Sequence, residues 1–152
     1  MKQIIEKIGK VGSLIRIRRL SYNDELNALN MIRKEKNNLL QSMKASQRKY
    51  LDGVEELNKI RSSLARSNQE NMENSVDYLK NIWFSQYKMF KDIEQRESIQ
   101  LKKFLDAEKN LKSLEKLSDN LRKAVDSEFV KMEQSALDEY SITKNQKTLK
   151  RY

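Results

Sequence analysis

Counting by sevens from Ile8 lands on Ile15, Tyr22, Leu29, Lys36, Met43, Tyr50, Leu57 and Leu64, a register with one polar member. Three residues further on come Val11, Ile32, Leu39 and Ile60, with Ile4 one heptad earlier and Arg18, Glu25, Ser46 and Gly53 as interruptions. Leu26, Leu40 and Val54 sit one place beyond and widen the stripe. Apolar side chains repeating every 3.5 residues make a seam along one slightly under-wound helix, and burying that seam needs a second helix. The chain supplies one. From Val76 the same count gives Trp83, Phe90, Glu97, Phe104, Leu111, Ser118, Val125 and Met132, with Leu79, Ile93, Ala107, Leu114 and Leu121 as companions. Between the two seams, residues 67–75 lack apolar periodicity, and Ser67 with Glu70, or Ser75, offers an N-cap for a new helix. The pattern predicts an all-α fold, a long antiparallel two-helix coiled-coil hairpin in a single domain. Helix 1 runs over about 4–66, the turn over about 67–75 and helix 2 over about 76–144, with a basic tail at 145–152.

Helices of about 60–70 residues span about 90–105 Å at ~1.5 Å per residue, and near-equal lengths let them zip along their whole extent. Partners across the seam are then residues whose numbers sum to about 140, with the bare Gly53 backbone near Trp83 and Tyr87. The chain has no proline and three glycines, so almost nothing interrupts a helix; Gly9 and Gly12 suggest fraying, or a regular helix that starts near Ser13. A chain 38% hydrophobic and 35% charged suits an elongated fold better than a sphere.

With neither cysteine nor histidine, thiolate and imidazole metal sites, disulfides and Cys-His or Ser-His catalysis are excluded. No glycine-rich phosphate loop occurs, and the carboxylates alternate with lysine and arginine as on a solvated helix surface. The expectation is a non-enzyme without cofactor or metal. The longest apolar run, Ile82-Trp83-Phe84, falls far short of the ~20 residues of a membrane span, which implies a soluble, cytosolic protein. The net charge of +9 sits in the first half, where residues 1–66 carry 15 basic against 7 acidic side chains, compared with 16 against 15 in 67–152. A basic face suits nucleic acid, an anionic membrane or an acidic protein equally well.

Apolar residues off the seam need a different reason to exist. In Leu14-Ile15-Arg16-Ile17-Arg18-Arg19-Leu20 the register turns Ile15 inward, Ile17 and Leu20 outward, and sets Arg18 on the seam. From Tyr78 to Phe90, Trp83 and Phe90 face inward while Tyr78, Phe84 and Tyr87 lie on outer or flanking faces. Clustered aromatics and arginines are the side chains that anchor interfaces. Leu14, Arg16, Ile17, Arg18, Arg19 and Leu20 therefore form one candidate partner surface, and Tyr78, Trp83, Phe84 and Tyr87 a second. The basic C-terminal residues Lys144, Lys147, Lys150 and Arg151 are expected to lie beside the arginines of the first.

The segment Ser13 to Leu20 resembles the N-terminal pattern of the small coiled-coil stalk proteins of type III secretion, the YscO and InvI types. Leu114-Glu115-Lys116-Leu117 through Met132-Glu133-Gln134-Ser135-Ala136-Leu137-Asp138-Glu139-Tyr140 resembles the C-terminal helix of their flagellar counterpart, FliJ. The likeness covers nearly the whole chain in length, hairpin layout and basic character, and mixes features of virulence and flagellar systems. It implies a hairpin like the central stalk of rotary ATPases, with its terminal end in a hexameric export ATPase. It also implies contacts with the export gate's cytoplasmic domain and with export chaperones, at the cytoplasmic face of a bacterial secretion apparatus. The ATPase contact maps to Leu14–Leu20 and to Lys147, Lys150 and Arg151; the aromatic cluster is assigned to the gate on exposure alone. A membrane-surface module of the BAR type normally needs three helices per chain where this sequence offers two. Nucleic-acid binding has the charge but no recognition motif, and a prefoldin-like chaperone or scaffold hairpin remains open.

Overall fold

The computed structural model describes residues 1–62 and 68–150, the last three of these without their side chains. Two helices pack antiparallel as an all-α hairpin: α1, Lys2–Ser62, and α2, Gln69–Lys150. Packing divides the hairpin into two units, one of Met1–Asn23 with Asp106–Tyr152 and the other of Asp24–Leu105, each holding a stretch of both helices. Among the described residues no helix is long and apolar enough to cross a membrane.

Burial follows the heptad along both helices. On α1 every seam position from Ile4 to Ile60 is at least partly buried except Arg18, which is exposed. A guanidinium on a flexible stem reaches water from a seam position at little cost. On α2 the pattern runs from Gln69 through Val76, Ile93 and Leu111 to Val125 and then stops. Met132, read as a seam residue, is exposed.

The unit of residues 24–105 has its core at Leu29, Leu57, Val76 and Ile93, with Leu29 only 1% exposed. Several polar seam residues are paired inside it. Lys36 Nζ lies 3.4 Å from Glu97 Oε1 and 5.7 Å from the centre of the Phe90 ring. Gln100 Nε2 donates to the Glu25 carbonyl oxygen at 3.1 Å and to the Glu25 carboxylate. Arg96 donates to both oxygens of Glu35. Among the described residues Gln86 Oε1 is a buried side-chain oxygen with no hydrogen-bond partner. In the other unit the seam is built on Val11 and Leu111 and includes the buried Ser118.

The register differs from the expected one. Numbers of cross-helix partners sum to 125 for Glu25 with Gln100, 131 for Glu35 with Arg96, 133 for Lys36 with Glu97 and 134 for Arg61 with Glu73. They scatter about 130 rather than 140 because the chain reverses earlier than the sequence suggests. Residues 69–75, read as turn, are helical, with Gln69, Met72, Glu73 and Val76 partly or fully buried at helical spacing. Ser75 is consequently a mid-helix residue and not a cap. The predicted Ser67 cap, Leu64 and the last residues of helix 1 up to Arg66 lie outside the described residues. Glu70 sits in the first turn of α2, where a negative charge favours the helix dipole.

Gly53 therefore meets Val76 and Leu79, not Trp83 and Tyr87; a Cβ built on it would lie 3.3 Å from Val76 Cγ2 and 3.5 Å from Leu79 Cδ1. The helices are also unequal, at 61 and 82 residues, and α2 stays helical through the expected tail to Lys150. At its start α1 is regular from Lys2, through both Gly9 and Gly12, with Ser13 Oγ donating to the Gly9 carbonyl oxygen at 3.2 Å. The buried seam through Ile8, Val11 and Ile15 offsets the backbone entropy cost of the glycines.

Two expectations follow. A Cβ at Gly9 or Gly12 meets nothing within 4 Å, so Gly9→Ala and Gly12→Ala should each stabilise the fold by about 0.5–1 kcal/mol; a loss of stability in urea unfolding would show that these helical turns need glycine. Arg61 Nη2, 3.1 Å from Glu73 Oε1, and then the Gln69 amide hold the Glu73 carboxyl below its ordinary value of 4.5. A depressed acid stabilises the fold above its unfolded value and loses that stabilisation as pH falls through the folded one. The difference in thermal midpoint between wild type and Glu73→Gln should be small at neutral pH and close as pH drops below 4.5; a difference that persists in acid would contradict this.

Candidate partner-binding surface

Successive helical residues turn by about 100°, so each outward side chain has a definite face. Leu14, Ile17 and Leu20 fall at i, i+3 and i+6 on the outside of α1, with Ile17 61% and Leu20 62% exposed. This stripe is the outward apolar surface anticipated from the sequence. The neighbouring arginines do not act as one cluster: Arg16 and Arg19 lie to one side of the seam, whereas Arg18 occupies an exposed seam position. Arg19 Nη2 lies 3.5 Å from Glu115 Oε1 across the hairpin.

Arg16 and Arg19 form one wall of an open groove of about 450 Å³ whose other wall carries Glu115, Asp119 and Arg122. Small residues from each helix leave the groove open. Gly12 and Ser118, with Ile8 and Ile15, line it. Three guanidiniums against two carboxylates leave it mildly basic and bordered by apolar side chains, a surface suited to a side chain from another protein helix. The sequence did not point to Arg122, Glu115 or Asp119; their role appears only once the register sets them beside Gly12.

Lys144 and Lys147 are not part of this surface. With Arg19 beside Glu115, Lys147 lies 32 residues further along α2, about 48 Å at helical rise. The Lys150 side chain and Arg151 lie outside the described residues. A different part of α2 extends past the groove. From Asp126 to Lys147 every residue is exposed, including Phe129, Leu137 and Tyr140. The sequence signal for this was the surplus of α2 over α1, hidden by placing the turn too late.

In the other unit the four aromatic candidates separate. Trp83 is partly buried on the seam, its ring 5.7 Å from that of Tyr50 on α1 and stacked at 5.9 Å and 5° on Phe84. Phe84 and Tyr87 share an outer face, each about half exposed. Lys80 Nζ stands 5.5 Å from the Phe84 ring centre and Lys91 Nζ 5.4 Å from that of Tyr87. Each contact is a cation–π pairing that holds a ring in place. Tyr78 lies 120° or more around the helix from both and belongs to another face.

Comparison with protein-family models, with curated proteins and with solved structures finds no match to this chain.

The placement of these aromatics makes a measurable distinction. Trp83→Ala should cost about 3–5 kcal/mol of stability, as for a large seam residue, whereas Tyr78→Ala and Tyr87→Ala should stay within about 0.5 kcal/mol. Equal losses at all three, in chemical denaturation, would show that Tyr78 and Tyr87 are structural.

Proposed function

We propose that this chain is a stalk-like adaptor of a bacterial type III protein export apparatus, linking the hexameric export ATPase to the cytoplasmic domain of the export gate. It acts without chemistry of its own and promotes assembly and activity of the ATPase, at the cytoplasmic face of the apparatus. The observation that carries this reading is the Leu14–Ile17–Leu20 stripe with its flanking arginines, set on α1 of a two-helix hairpin. That segment is also where the sequence resembles the stalk family. Within each unit the heptad seam sets the outer faces of the two helices side by side and so presents them to partners.

In this reading the ATPase contact centres on Leu14, Ile17 and Leu20 with Arg16 and Arg19. The distance from Glu115 to Lys147 makes Lys147 a separate contribution rather than part of the same patch. Phe84 and Tyr87, held by Lys80 and Lys91, form the second surface, for the gate or for export chaperones. Trp83 supports Phe84 from beneath, and Tyr78 plays no part in that face.

Mixed with its cognate purified ATPase, the chain should raise hydrolysis and favour hexamers. The double substitution Ile17→Asp/Leu20→Asp should reduce the stimulation about ten-fold, the effect of losing an interface anchor, with helicity by circular dichroism retained. Unchanged turnover and oligomeric state, together with failure to co-purify with ATPase or gate, would rule the reading out.

A further inference from the structure

On the exposed segment of α2, Phe129, Met132, Ala136, Leu137 and Tyr140 follow i, i+3, i+7, i+8 and i+11. That spacing gathers them into one stripe about 140° wide, the pattern of a helix face built to be covered. α1 does not cover it, since a register near 130 brings the first residue of α1, Lys2, opposite the beginning of this segment. The large side chains are well exposed, Leu137 at 66% and Tyr140 at 67%.

The charges beside the stripe indicate what fits. Asp126 and Lys144 lie at the same angle on the helix, at one edge of the stripe, with Lys147 on the stripe and Glu133 within it near the middle of the segment; Asp126 and the two lysines are at opposite ends. A second copy laid parallel sets Asp126 against Asp126 and lysine against lysine. Laid antiparallel about a two-fold axis near Ala136, it sets Asp126 against Lys144 and Lys147 of the other copy, twice over by symmetry. The same alignment brings Phe129 to the level of Thr143, Met132 to that of Tyr140 and Ala136 to that of Ala136 and Leu137. An anionic lipid surface fits poorly, because five carboxylates stand against three lysines between 126 and 147.

We propose that this chain forms an antiparallel homodimer through α2 residues 126–147, independent of the export reading. The segment is about 33 Å long, a small contact where about 800 Å² per partner is usual, so the dimer assembles and dissociates with concentration.

Sedimentation velocity on the full chain over a range of concentrations, at low salt, tests this. The dimer fraction should rise with concentration, and Leu137→Asp/Tyr140→Asp should raise the dissociation constant at least about ten-fold, with unchanged helicity. Asp126→Lys alone and the pair Lys144→Glu/Lys147→Glu alone should each weaken self-association. An equal mixture of these two variants restores opposite charges at both symmetric contacts and should recover dimers. A chain that stays monomeric throughout, a dimer indifferent to Leu137→Asp/Tyr140→Asp, or mixed charge variants that pair no better than either alone would each overturn the proposal.

Discussion

The polar positions within the seam determine how the two helices align. A stripe of apolar residues at heptad spacing is nearly indifferent to sliding by seven residues, because most seven-residue shifts bring apolar side chains opposite one another again. Lys36 beside Glu97, and Gln100 reaching the backbone and carboxylate of Glu25, are not indifferent. Sliding by one heptad would leave an amide and an ion pair partly buried without partners, at a cost of about 1–3 kcal/mol for each unsatisfied group. Such residues trade local stability for a single register. In the unit of residues 24–105 they fix which outer residues lie side by side, and the outer surfaces take their composition from that choice.

Gln86 is the exception among these polar positions. Its Oε1 is buried without a hydrogen-bond partner, so it neither specifies register as Gln100 does nor packs as an apolar residue would.

The heptad was legible in the sequence because periodicity is local: from Ile4 to Ile60 and from Val76 to Val125 every position the count by sevens names is at least partly buried, Arg18 excepted. The reversal was less legible. Nothing in residues 69–75 forbids a helix, since neither proline nor glycine occurs there, and a scarcity of apolar residues resembles a turn until Met72 and Glu73 are seen to continue the buried face. That one displacement propagated. It shifted every expected cross-helix partner by about ten residues, put Gly53 beside the wrong side chains, and concealed the surplus length of α2. Exposure at Ile17, Leu20, Phe84 and Tyr87 was readable from angle alone. The groove at Gly12 and Ser118, and the separation of the arginines from the C-terminal lysines, depend on register and were not.

Trp83 is the chain's single tryptophan, and it lies on the seam with a tyrosine of the opposite helix 5.7 Å away. The molecule thus carries its own optical gauge. Indole emission and energy transfer from Tyr50 both depend on the two helices staying zipped at this level, while the outer faces carry no other indole to blur the signal. Parting of the helices there, on heating or under load from a partner, would be visible without any attached label.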